Sequence, residues 1–92
     1  MITAFVHISA DPARIAALAA HIADVDGVSE VYSVTGDEDL VAIVRVREHD
    51  ELAAVVTKGI ACMEGIRHTR TSIAYQAFSR HDLESTFDVG NT

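Results

Sequence analysis

The apolar positions change period along the chain, and each change predicts an element. Residues 2–8 alternate, with Ala4, Val6 and Ile8 on one side and Phe5 and His7 on the other, the pattern of a strand whose two faces both want cover. The spacing then lengthens. Ile15, Leu18, Ile22 and Val25 recur at helical intervals among Ala16, Ala17, Ala19, Ala20 and Ala23, and alanine favours helix and permits close packing. Asp11 suits the N-cap, Pro12 suits the first turn, where its missing N–H costs nothing, and Asp26-Gly27 marks the stop. Residues 28–35 and 40–47 are rich in β-branched and aromatic side chains on either side of Gly36-Asp37-Glu38-Asp39, which predicts a β-hairpin. Asp50 is placed to cap a second helix, whose apolar stripe of Leu52, Val55, Val56, Gly59, Ile60 and Met63 yields to Gly65. Thr69, Thr71, Ile73 and Tyr75 mark residues 66–78 as one last, long strand.

The order is strand, helix, strand, strand, helix, strand. Val25-Asp26-Gly27-Val28 and Met63-Glu64-Gly65-Ile66 each join a helix end to the next strand, an echo that fits a duplicated split βαβ unit. With right-handed crossovers this gives an α+β, ferredoxin-like βαββαβ sandwich: a four-stranded antiparallel sheet, strands one and three central, both helices on one face. Phe5, Val41, Ile43 and Ala74 then fall on the uncovered face, and an apolar patch there predicts dimerisation through the sheets. The domain is expected over residues 1–78. Residues 79–92, with Arg80, His81, Asp82, Glu84 and Asp88 against only Leu83, Phe87 and Val89, are expected to form a polar C-terminal tail.

Composition narrows the function. In 92 residues there are 7 basic and 14 acidic side chains, a net charge of −7, which disfavours the basic surface that nucleic acid or an anionic membrane requires. No apolar run approaches the roughly 20 residues of a membrane span, and the first residues lack a basic, apolar signal. The single cysteine, Cys62, can form no intrachain disulfide and is expected to be a small buried hydrophobe on the second helix. Together these predict a cytoplasmic protein.

The five histidines, His7, His21, His49, His68 and His81, form no close pair with one another or with Cys62, so neither a metal nor a cofactor is expected. Ser72, His7 and Asp39 can be assembled on paper into a triad, but no nucleophile motif accompanies them, and catalysis is not expected.

Polar groups concentrate in two places. In Thr35-Gly36-Asp37-Glu38-Asp39, backbone N–H groups beside Gly36 could meet a carboxylate while Asp37 or Asp39 accepts from an ammonium, together matching a zwitterionic amino acid. An ordinary solvated turn, with Gly36 at positive φ and Asp39 bonded locally, accounts for the same residues. In His68-Thr69-Arg70-Thr71-Ser72, hydroxyls and a guanidinium could also hold a carboxylate, although threonine is common in strands for its β propensity alone. The topology is expected to set these two clusters at opposite ends of the sheet, so that a shared site would need a second subunit.

Val34-Thr35-Gly36-Asp37-Glu38-Asp39-Leu40, followed by Gly65-Ile66-Arg67-His68-Thr69-Arg70-Thr71 in this order of elements, resembles the effector-binding (RAM) domain of the Lrp/AsnC family. The resemblance covers about residues 1 to 78. It implies a ferredoxin-like domain that dimerises through its sheets, assembles further as an oligomer of dimers, and binds amino acids between dimers. Carried over by motif, Thr35, Gly36, Asp37 and Asp39 fall on the family's glycine–aspartate loop, and Thr69 and Thr71 on its final-strand threonines; these six are the ligand-site candidates. Glu38 stands where the family often has an aromatic, and Glu64 where it often has proline. With the first strand beginning at Ile2, the resemblance is to a stand-alone form lacking the helix-turn-helix. The function expected is an amino-acid-responsive regulatory domain acting in transcription without contacting DNA itself, through homo-oligomers or mixed oligomers with full-length Lrp/AsnC regulators. The alternative is a small dimeric α/β-barrel enzyme using His7 in a pocket on the open sheet face. An ACT-like module shares the topology but typically carries its glycine after the first strand, where Ser9-Ala10-Asp11-Pro12 has none.

Overall fold

The structure, a computed structural model, describes residues 1–80. Its elements run β1 (Ile2–Ala10), a 3-10 turn (Pro12–Arg14) leading into α1 (Ile15–Ala23), β2 (Val28–Ser33), β3 (Leu40–Val46), α2 (His49–Ala54) continuing as a π-helical turn (Val55–Ile60), and β4 (Ile66–Ile73). The four strands form one antiparallel sheet in the order β2-β3-β1-β4, the ferredoxin-like arrangement that the periodicity implies.

Alternation along the central strands sorts the side chains. Ala4, Val6 and Ile8 of β1 and Leu40, Ala42 and Val44 of β3 are wholly buried under the helices, where they meet Leu18 and Ile22 of α1, Leu52 of α2, and Val55 and Ile60 of the π turn. No polar or charged residue is buried among the described residues, so the core holds by apolar packing alone. Asp11 does cap its turn, its carboxylate accepting from the Ala13 N–H at 3.0 Å. Gly27, at φ 96°, lets the chain pass where a Cβ would come within 2.8 Å of Val55.

Three expectations about the elements need correction. The second helix starts earlier than the Asp50 cap implies, with Glu48 at the N-cap position making no side-chain cap bond and Asp50 in the first turn. The last strand stops at Ile73, because Ala74 donates to the Thr3 carbonyl at 2.8 Å and β1 begins at Ile2, leaving no strand for residues 75–78 to pair with. Cys62 is exposed, its Sγ donating to the Lys58 carbonyl at 2.7 Å. The π turn accounts for this: the Ala61 N–H reaches back five residues to the Val56 carbonyl, and the extra residue per turn rotates the next side chains away from the core. Of the expected tail, residues 81–92 lie outside the described residues.

Candidate ligand-binding site

Because β1 runs antiparallel to both β3 and β4, the starts of those two strands lie together at its C-terminal end: Ile8 pairs with Leu40 on one side and Thr69 on the other. The β2–β3 loop and the beginning of β4 therefore share one end of the sheet within a single chain. The expectation of opposite ends is overturned by that simple consequence of antiparallel pairing.

Two residues of the loop, Asp39 and Glu38, tie it to this end. The Asp39 N–H donates to the Ile8 carbonyl at 2.9 Å, and Asp39 Oδ2 accepts from the Ala10 N–H at 2.9 Å. The aspartate expected to bond locally, or to receive an ammonium, thus commits one oxygen to a strand 29 residues away. The second tie is ionic. Arg70 donates from Nη2 and Nε to Glu38 Oε1, at 2.7 and 3.2 Å. Arg70 stands opposite His7 across the β1–β4 pair, so its side chain spans β1 on the open face to reach the loop. The Arg70 hydrogen bonds hold the Glu38 carboxyl below the usual carboxylate range, and the Arg70 and His7 charges add to this.

Of the six candidates, Thr35, Gly36 and Asp37 are exposed at the loop tip, Asp39 is half-buried, and Gly36 takes φ 115° with open space on its Cβ side. The conformation is one that only glycine adopts readily. Thr69 and Thr71 pair with Ile8 and Val6, which puts them on the helix side of β4, Thr69 half-buried and Thr71 exposed. Arg70 and Ser72 pair with His7 and Phe5 on the open side. The arrangement brings loop and strand together but divides the β4 residues between two faces. Glu38 is the residue at this end that the sequence motifs miss; opposite charges at positions 38 and 70, taken with the strand register, are the signal for it.

The open face carries Phe5, Val41, Ile43 and Ala74, as expected, with Phe5 37% exposed and Ile43 only 9%. On its β2 side Glu30 accepts from the Tyr32 hydroxyl and, at 3.2 Å, from Arg45 Nη1, which keeps its carboxyl low and the Tyr32 hydroxyl high. A cavity of about 590 Å³ opens at the end far from the loop, lined by Met1, Thr3, Phe5, Arg45, Tyr75 and Phe78 among others; His7 is not in its lining. Among the described residues there is no cluster of His, Cys, Asp or Glu suited to a metal, and no helix is long and apolar enough to cross a membrane.

Solved structures share this arrangement. A Thermus thermophilus protein is 50% identical with a TM-score of 0.82, over 87% of this chain and 100% of that one. The feast or famine regulatory protein from M. tuberculosis, solved in complex with L-methionine, is 30% identical with a TM-score of 0.72, over 86% of this chain and 53% of that one. An uncharacterized HTH-type transcriptional regulator from Pyrococcus abyssi is 36% identical over 72 residues, 78% of this chain, which spans 46% of that relative's length. The model of the Lrp/AsnC ligand binding domain matches residues 3–83, and the chain belongs to that family.

Proposed function

We propose that this chain is an amino-acid-binding regulatory domain of the transcriptional regulators it resembles, with the effector held at the end of the sheet where the β2–β3 loop meets β4. The observation that carries the reading is the convergence of the loop carrying Thr35, Gly36, Asp37 and Asp39 on the start of β4, with Thr69 and Thr71, in one chain. Two supports stand beside it: the family, and the L-methionine complex of the M. tuberculosis relative. In this reading the tip is open because a neighbouring subunit completes the site.

The same proposal makes the open face the contact between two copies, Phe5 and Val41 supplying its apolar centre, with further association of dimers or mixed assembly with full-length regulators. The net charge of −7 fits a domain that acts on transcription through protein partners rather than by gripping DNA. We place it in the cytoplasm and assign it no catalytic step. The enzyme alternative needs His7 in the pocket of the open face, and the cavity there is lined without it.

Thermal unfolding of the pure protein against each of the twenty amino acids tests the reading. Ligand at about a hundred times its Kd adds roughly 2.7 kcal/mol, so the expected result is a selective rise for one amino acid or a few. A flat response across the panel at millimolar concentration contradicts it.

A further inference from the structure

We propose that Glu38 and Arg70 form a charge pair into which an α-amino acid inserts, its carboxylate taking the Arg70 guanidinium and its ammonium taking the Glu38 carboxylate. The inference rests on the amino-acid reading above and names the groups that would receive the ligand's two charged ends.

The geometry of the pair points this way. It joins residues 32 apart in sequence across the face of β1, yet the loop is already fastened by Asp39 through backbone bonds on both its N–H and its carboxylate. The ion pair is surplus to that fastening, and a pair whose arginine half stands in solvent contributes little that insertion must overcome. Its fit is also incomplete. Nε and Nη2 both meet Oε1 alone, at 3.2 and 2.7 Å, whereas a guanidinium fork can meet both oxygens of a carboxylate in parallel. A carboxylate free of the loop's tether can adopt that better geometry.

Exposure divides the two roles. Within one protomer the Arg70 side chain, on the edge strand β4, is 55% exposed, while Glu38 is only 21% exposed. The Glu38 carboxylate, left without its guanidinium once Arg70 has turned to another partner, favours a cation. Nor is the loop backbone a rival for the ligand's carboxylate at Asp39, whose N–H is committed to Ile8. Insertion replaces one ion pair by two and leaves no charge unpartnered, which a molecule bearing only one of the two charges cannot do.

Calorimetric titration of the full chain tests this, using the twenty amino acids and, for each that binds, its amide and its 2-hydroxy-acid counterpart, on wild type, Glu38→Gln and Arg70→Gln. The expected result is that each variant loses about tenfold or more in affinity for the amino acid. Glu38→Gln should also lose the preference for amino acid over hydroxy acid, and Arg70→Gln the preference for amino acid over amide. A role confined to holding the loop would weaken all three compounds alike and leave those ratios standing, which overturns the proposal. So does unchanged or tighter binding by Glu38→Gln, which would leave the amino-acid reading intact. A flat response from wild type and both variants overturns the two together.

Discussion

The two faces of the central strands differ by a single residue step and by almost everything else. On the helix side Ala4, Val6, Ile8, Leu40, Ala42 and Val44 have no exposure at all, and the face contains no charged group. On the open side the neighbouring positions are Thr3, Phe5, His7, Val41, Ile43 and Arg45, and both of the ion pairs described, Glu30–Arg45 and Glu38–Arg70, lie along its margins. The buried apolar packing is concentrated on the first face, and the exposed aromatic and both ion pairs lie on the second. Substitutions on the first should therefore move stability, and those on the second should move association or binding while the fold stands.

The largest effect is expected from the covered face. Ile8→Ala removes a wholly buried side chain from β1 and should cost about 2–5 kcal/mol, read as a lower midpoint in urea unfolding. A loss below about 1 kcal/mol would mean that the core does not centre on these strands. On the open face, Phe5→Glu should leave the protomer's stability within about 1 kcal/mol while converting a dimer to a monomer in sedimentation. Phe5 serves better here than Ile43, which at 9% exposure is nearly buried within one protomer, so that Ile43→Asp would confuse the fold with the contact. Dimers that survive Phe5→Glu would place the interface elsewhere.

The smallest effect concerns pH. The Glu38 carboxyl titrates below its ordinary value of 4.5, because Arg70 donates to the charged form. A carboxyl lowered by folding adds stability that is present above the ordinary value and is lost as pH falls through the folded one. Arg70→Gln should flatten that part of the acid limb and return the Glu38 titration, followed by carboxyl NMR, to the ordinary range. An unchanged Glu38 titration would mean that the pair does not persist in solution.

Much of this fold is legible in residues alone. The two-residue period around Val6 and the helical recurrence of Leu18 and Ile22 depend on local spacing, and the face assignments of Phe5, Val41 and Ile43 follow from them. The exposure of Cys62 is not legible, because a π turn in Val55–Ile60 depends on packing that periodicity does not encode. The end of β4 is hidden for a related reason: Tyr75 has the composition of a strand residue, but a strand lasts only as long as its partner. At the site, the loop and its glycine are recognisable, while the Asp39–Ala10 and Glu38–Arg70 contacts span 29 and 32 residues and become visible only when the register of β1 is known.

The central claim is that the effector binds where the β2–β3 loop meets β4. Backbone amide shifts mapped by NMR during titration with an amino acid that raises the unfolding temperature test it most directly. Perturbations are expected to centre on Gly36, Asp37, Glu38, Thr69 and Arg70, with Thr3, Phe5 and Arg45 beside the far cavity unmoved. Shifts centred on that cavity, with the loop silent, would contradict it.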